Sequence, residues 1–280
     1  MYAAFNLKIT VDDFESLSNL TLQNLIRIGQ QRREHLQTCS KAELVKFTST
    51  TGIIDGSGLS DDWFQTIQSD VFISHSHNDA DLAFALAGWL KKQFELDVFM
   101  DESIWGSADA LLRTIDDEYC WQPKSETYSY KKRNLTTSHV HAMLSTAIYS
   151  VMDKTEVVFF LNTSESIPKI GDTIEENSEY TLSPWIYQEL MATKLLRKTD
   201  WLEYRNRTAL EHAQYIKESA DLKLKITYKT PLSELKILDK DALLRWKDKY
   251  IERCIHPFLN IQNHPLNYLY NTAFSKMVEK

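Results

Sequence analysis

The chain is poor in glycine, with only seven among its 280 residues. Glycine-rich loops cradle phosphates in P-loop and dinucleotide-binding proteins because backbone amides must approach the ligand closely. Neither G-x-x-x-x-G-K-[ST] nor G-x-G-x-x-G occurs in the sequence. The usual phosphate-binding loops are therefore excluded, and a nucleotide would have to bind by other means.

Cysteine is also scarce, and no metal-binding pattern is present. The three cysteines lie far apart with no Cys-x-x-Cys pair, which is typical of reduced thiols rather than of a disulfide frame or a zinc site. His139 and His141 are two residues apart and so face opposite sides of a helix, while His75 and His77 lack a thiol or carboxylate partner at ligand spacing. We therefore expect no metal ion.

Long apolar runs and excess positive charge are missing as well. No run of about eighteen apolar residues exists to span a bilayer, and the N-terminal residues do not form a secretory signal. The net charge of −7 argues against binding to nucleic acid, and we interpret the short basic run 131–133 as a solvated loop. These absences predict a cytoplasmic protein that binds neither membrane nor nucleic acid.

Apolar patterning predicts an α/β fold from residue 69 onwards. A β-α-β unit is indicated by a strand at 71–74, helical spacing over 82–94 and a second strand at 97–100. The continuous apolar run at 156–162 is typical of a third strand buried on both faces. Ser183 and Pro184 are favoured at a helix start and predict a helix to about residue 198.

The remaining segments carry weaker patterns. Residues 1–68 are interpreted as an N-terminal helical extension and 231–280 as a C-terminal one. Residues 116–137 are polar with no clear period and are interpreted as an excursion on the surface. The strict alternation at 222–229 predicts an edge strand.

The polar cluster Ser74-His-Ser-His-Asn-Asp79 stands where the first strand ends. In open α/β sheets, ligands bind outside the carboxyl ends of the strands, and hydroxyl and imidazole groups suit phosphates or ribose hydroxyls. The alternative is a helix start, in which Ser76, Asn78 or Asp79 caps the following helix. The residues themselves leave both interpretations open.

Two further segments could carry chemistry. Trp185 and Glu189 are four residues apart and share one face of the predicted helix; on spacing alone, a core tryptophan beside a solvated glutamate explains them better than a site. Asp101, Ser103 and Trp105 follow the second strand, and this tryptophan could cover either the core or a ligand.

Taken together, four segments resemble a Toll/interleukin-1 receptor (TIR) domain in their order and spacing. They are Asp70-Val-Phe-Ile-Ser-His-Ser, Val98-Phe-Met-Asp101 with its following loop, Val157-Val-Phe-Phe-Leu and Ser183-Pro-Trp-Ile-Tyr-Gln-Glu-Leu190. The resemblance covers residues 69–230, with 116–137 as an insertion, and implies a flavodoxin-like three-layer sandwich with a mostly parallel central sheet. The loop from Asp101 looks closest to TIR-like proteins of bacterial anti-phage systems such as Thoeris.

The resemblance implies cleavage of NAD+ at its nicotinamide-ribose bond, with NAD+ as substrate and no cofactor. Glu189 matches the glutamate that is essential in catalytic members of the family, and Trp185 matches an aromatic residue one turn earlier in bacterial members. A carboxylate suits the oxocarbenium-like charge that develops on the ribose. Substrate-binding roles then fall to Ser74, His75, Ser76, Asp101, Ser103, Trp105 and Trp185.

The resemblance also implies partners and leaves alternatives. Many family members complete their site by self-association, and a cyclised product would act as a signal for a downstream effector in antiviral defence. Hydrolysis to ADP-ribose and cyclisation remain equally open, because sequence does not show how water is excluded. The alternatives are a non-catalytic TIR interaction module and an enzyme similar to nucleoside 2-deoxyribosyltransferases.

Overall fold

The computed structural model of the protein describes residues 1–37, 47, 55–64, 68–100, 108–168, 180–198, 228–229, 232–255 and 264–274. The strands are β1 (Ala3–Lys8), β2 (Val71–Ser74), β3 (Val98–Phe99), β4 (Trp121–Gln122), β5 (Thr127–Tyr128), β6 (Val157–Leu161), β7 (Tyr180–Thr181), β8 (Tyr228–Lys229) and β9 (Lys236–Asp239). Within the described residues, β3-β2-β6-β1-β9 form a five-stranded sheet in that order, with every pairing parallel.

Helices cover both faces of this sheet. They are α1 (Phe14–Leu17), α2 (Leu22–Gln37), α3 (Gly56–Trp63), α4 (Ala80–Phe94), α5 (Ala108–Tyr119), α6 (Tyr130–Lys154), α7 (Pro184–Leu195), α8 (Lys240–Ile255) and α9 (Pro265–Phe274). The first face packs against α1, α2, α4, α8 and α9. The second face packs against α3, α5, α6 and α7. The fold is therefore α/β in three layers, consistent with the predicted flavodoxin-like sandwich.

Side-chain alternation along β6 shows how the two cores are built. All five residues of β6 are buried, as its continuous apolar run predicted. Val157, Phe159 and Leu161 lie in the first core, whereas Val158 and Phe160 lie in the second. The predicted β-α-β unit is also confirmed, because β2 and β3 pair in parallel and α4 connects them.

The two predicted extensions need correction, because each contributes a strand to the central sheet. Strand β1 pairs with β6 from Ala3↔Val157 to Leu7↔Leu161, and with β9 on its other side. Its first five residues are buried. Residues 1–68 and 231–280 therefore contain more than helices, and they complete the sheet rather than extend it.

The predicted surface excursion at 116–137 is more ordered than its composition indicates. Helix α5 continues to Tyr119, β4 and β5 form an antiparallel hairpin, and α6 begins at Tyr130. Asp116 is only 3% exposed, because it accepts hydrogen bonds from Arg133 Nε at 2.8 Å and from the Thr136 hydroxyl. The hairpin itself is exposed, so this segment lies on the surface but is not aperiodic.

Two further findings complete the fold. Of the predicted edge strand at 222–229, only Tyr228–Lys229 lies within the described residues, and it pairs antiparallel with β7. In the part of the chain that the structure describes, no helix is long and apolar enough to cross a membrane.

Candidate functional site

The strand order creates a topological switch point at the carboxyl ends of β2 and β6. From β2 the chain passes to β3 on one side, and then returns to β6 on the other. Ligands bind at such a switch point in open α/β sheets, because the connections diverge there and leave the strand ends uncovered. Ser74 ends β2 at this position, and Asn162 follows β6 directly.

The segment after β2 carries three of the predicted binding residues. Ser74 is only 2% exposed, and its hydroxyl has no hydrogen-bond partner among the described residues. The side chains of His75 and Ser76 are half-buried. His75 Nδ1 lies 3.4 Å from the carbonyl oxygen of Ile73, which orients the ring relative to the end of its strand.

The alternative interpretation of this cluster, a set of helix-capping side chains, is not supported by the structure. Ser76 precedes the short 3-10 turn His77–Asp79, and Asp79 precedes α4, but neither side chain makes a capping hydrogen bond. Asn78 instead donates from Nδ2 to Glu165 Oε2 at 2.7 Å. The hydroxyl of Thr163 donates to Asp79 Oδ2 at 2.6 Å. These two bonds join the segment that follows β2 to the segment that follows β6, and so hold the two strand ends together.

Helix α7 places Glu189 in the layer above the second sheet face. The Ser183 hydroxyl accepts from Ile186 N at 3.3 Å and Pro184 occupies the first turn, so the predicted helix start is confirmed. Ile186, Glu189 and Leu190 all lie on the buried side of the helix, and Glu189 is 4% exposed. A buried carboxylate is costly unless other groups compensate it, and such groups concentrate at functional sites.

Trp185 and Glu189 lie in different surroundings. Trp185 is half-buried, and its ring meets the edge of His141 on α6 at a centroid distance of 5.1 Å and an angle of 82°. The glutamate is the more buried of the two. The alternative of a solvated glutamate is therefore wrong, whereas Trp185 is half-buried and packs against the second core.

Sequence reasoning missed two polar residues at this edge of the sheet. Asn6 on β1 is 2% exposed, and its Oδ1 has no partner among the described residues. The same holds for Nδ2 of Asn162. The available signal was a polar amide within or directly after a buried apolar strand, but β1 itself was not predicted.

The loop after β3 carries three further predicted binding residues. Asp101, Ser103 and Trp105 lie outside the described residues, so their predicted roles stay predictions. Within the described ranges, no group of three or more His, Cys, Asp or Glu side chains has the arrangement of a metal site.

A separate cavity of about 370 Å³ lies beside the β4–β5 hairpin. Its lining consists of Leu112, Arg113, Asp116, Tyr128 and Arg133. Asp116 already holds Arg133, whose guanidinium carbon also lies 5.6 Å from the centre of the Tyr128 ring. Among the predicted site residues that the structure describes, none lines this cavity, so the candidate site remains at the strand ends.

Comparisons with known proteins add no relative to this picture. No protein-family model, no curated protein and no solved structure matches the chain. Support for the candidate site therefore comes from its own residues and from the resemblance of the four segments to TIR domains.

Proposed function

We propose that the protein is a TIR-type NAD+ nucleosidase in which Glu189 stabilises the reacting ribose. One observation carries the proposal: Glu189 is 4% exposed on the sheet-facing side of α7. A glutamate that served only solubility would face water, since charged side chains are mostly exposed in folded proteins. Its position is also the one that the TIR resemblance assigns to the essential glutamate.

The residue types suit cleavage of an N-glycosidic bond. As the bond between nicotinamide and ribose breaks, positive charge develops on the ribose, and the Glu189 carboxylate stabilises that charge. Nicotinamide leaves as a neutral base, so no general acid is required. Ser74, His75 and Ser76 at the end of β2 contact phosphate or ribose oxygens, and Trp185 offers an aromatic surface.

The wider role forms part of the same proposal. Attack by water gives ADP-ribose, and attack by a second group of the same nucleotide gives a cyclic product. The resemblance to anti-phage TIR proteins supports a cytoplasmic role in bacterial antiviral defence, with self-association of the chain and an effector that responds to the product.

The experiment is release of nicotinamide from NAD+ by the purified protein at high concentration, with Glu189→Gln and Glu189→Ala beside it. Both variants are expected to lose about 100-fold or more in rate, the usual effect of removing one electrostatic contributor. Glu118→Gln is the matched control, because Glu118 is exposed on α5, and it should retain full rate.

The outcomes separate the alternatives. No release by the wild-type protein under crowded or phage-triggered conditions would contradict the enzyme and favour an interaction module. Release that survives both Glu189 changes would contradict the site. Cleavage of deoxynucleosides in place of NAD+ would favour the deoxyribosyltransferase-like alternative.

A further inference from the structure

Three polar side chains lie on the second sheet face, towards the carboxyl ends of its three central strands. Asn6 of β1 and Ser74 of β2 both align with Phe160 of β6, so they flank that residue in one row. Asn162 lies two residues beyond Phe160, and its N–H donates to the carbonyl of Leu7 at 2.9 Å. Because this bond continues the ladder, alternation places Asn162 on the same face as Asn6 and Ser74.

Each of the three carries a buried polar atom without a hydrogen bond to any described residue. These atoms are Asn6 Oδ1, Ser74 Oγ and Asn162 Nδ2, and both Asn6 and Ser74 are 2% exposed. A fourth such atom is Gln188 Nε2 on α7, whose Oε1 accepts from Ser145 on α6 at 3.0 Å. Folding normally pairs buried polar groups, so several at one strand edge indicate a place built to hold something polar.

The unpaired atoms have complementary roles. Asn6 Oδ1 accepts a hydrogen bond, Asn162 Nδ2 donates one, and the Ser74 hydroxyl does either. A ligand that presents an N–H donor beside an acceptor satisfies the two asparagines together. Both a primary carboxamide and the amino edge of adenine have this pattern, and NAD+ contains both groups.

We propose that Asn6 and Asn162 bind the carboxamide of the nicotinamide in the substrate. The inference rests on the proposed function. It favours the carboxamide over adenine because Glu189 lies on the same side of the sheet as these three side chains, and Glu189 acts on the bond next to nicotinamide. Asn6 then brings the N-terminal strand, which lies outside the TIR resemblance, into substrate binding.

The test measures NAD+ binding by calorimetry in the Glu189→Gln protein, which holds substrate without turning it over rapidly. Adding Asn6→Leu or Asn162→Leu should each weaken binding about ten-fold or more, the effect of losing roughly one good hydrogen bond. Neither change should lower the melting temperature, because leucine replaces an unpaired amide with an apolar group of similar size. Ser69→Ala is the matched control: the Ser69 hydroxyl is also buried and unpaired, but it precedes β2 at the other edge and should leave affinity unchanged.

Two analogues distinguish the sources of the donor-acceptor pattern. NAD+ with nicotinic acid in place of nicotinamide cannot donate from its carboxylate, so it should bind about ten-fold more weakly than NAD+. Asn6→Leu should abolish that difference. The second analogue is NAD+ with hypoxanthine in place of adenine. If Asn6→Leu instead abolishes discrimination against this analogue, the carboxamide assignment is overturned. Unchanged affinity in both asparagine variants of a protein that binds NAD+ overturns the inference alone, whereas no NAD+ binding in any variant overturns the proposed function with it.

Discussion

Thr163 and Asp79 are joined by a hydrogen bond of 2.6 Å, which links the segment after β6 to the start of α4. The Thr163 hydroxyl also accepts from the backbone N–H groups of Glu165 and Ser166, both at 3.2 Å. One hydroxyl therefore shapes the turn after β6 and ties that turn to the neighbouring strand end. Together with the Asn78–Glu165 bond, it holds the segments after β2 and β6 together at the switch point.

Thr163→Val is expected to lower the free energy of unfolding by about 1–3 kcal/mol, because it leaves Asp79 and the turn without their shared partner. It should also reduce NAD+ cleavage, since the segment from Ser74 to Asp79 loses its hydrogen bond to the turn after β6. Chemical denaturation and nicotinamide release measure the two effects. Thr146→Val is the control: its hydroxyl bonds only within α6, so a change of more than about 0.5 kcal/mol there would show that any Thr→Val change is harmful.

Asp70 gives a prediction about pH and stability. Burial raises the pKa of its carboxyl group above the ordinary value of 3.8, although Asp70 Oδ2 accepts from Asp97 N at 2.8 Å. Because the folded-state pKa is the higher one, this group contributes stability that is complete below pH 3.8. That contribution is lost as the pH rises through the raised value.

Asp70→Asn keeps an oxygen for the Asp97 N–H but cannot ionise. The variant is therefore expected to gain stability relative to wild type as the pH rises through this window, with little difference below pH 3.8. Urea denaturation at a series of pH values measures the difference. Asp248→Asn, at an exposed position on α8, should show no such pH-dependent gain, and a flat difference for Asp70→Asn would contradict the argument.

The central part of the fold was predictable because its signals are local. The apolar spacing of α4, the buried run of β6 and the Ser183-Pro184 start of α7 each depend on neighbouring residues. Strands β1 and β9 were missed because their evidence is not local: β1 pairs with a strand that lies about 150 residues away. A strand of six residues has too little pattern to indicate such a pairing.

The candidate site was predictable in part for a related reason. Its place at a strand end brought Ser74 forward, and the TIR resemblance brought Glu189 forward. Spacing alone described Glu189 as solvated, and only the packing of α7 shows it buried. Asn6 could not be predicted as a site residue, because only the strand register aligns it with Phe160 and Ser74. Burial and register are properties of the assembled sheet, so residue patterns cannot supply them.

Gly29 and Gly88 allow α2 and α4 to cross closely, which predicts intolerance of the smallest side chain. A Cβ on Gly29 would overlap the Phe84 carbonyl, and one on Gly88 would overlap the Leu25 carbonyl. Either glycine changed to alanine should destabilise the protein by about 1–3 kcal/mol, although alanine favours an exposed helix by about 1 kcal/mol. Thermal unfolding measures this, with Gly56→Ala as control, because the added methyl group there meets only the flexible end of Met143. A stabilised Gly88→Ala protein would contradict the close crossing.

Trp246 joins the C-terminal helices to the sheet, so it tests whether that segment belongs to the folded core. Its ring is fully buried and stacks on Phe94 at a centroid distance of 4.1 Å, while Nε1 donates to the carbonyl of Pro265 at 2.9 Å. Trp246→Ala should cost about 3–5 kcal/mol, the usual penalty for emptying a large core position, as measured by denaturant unfolding. Trp121→Ala, on the exposed hairpin, should cost less than about 1 kcal/mol. Equal losses in the two variants, or a stable chain truncated before β9, would show that the C-terminal segment is dispensable for the fold.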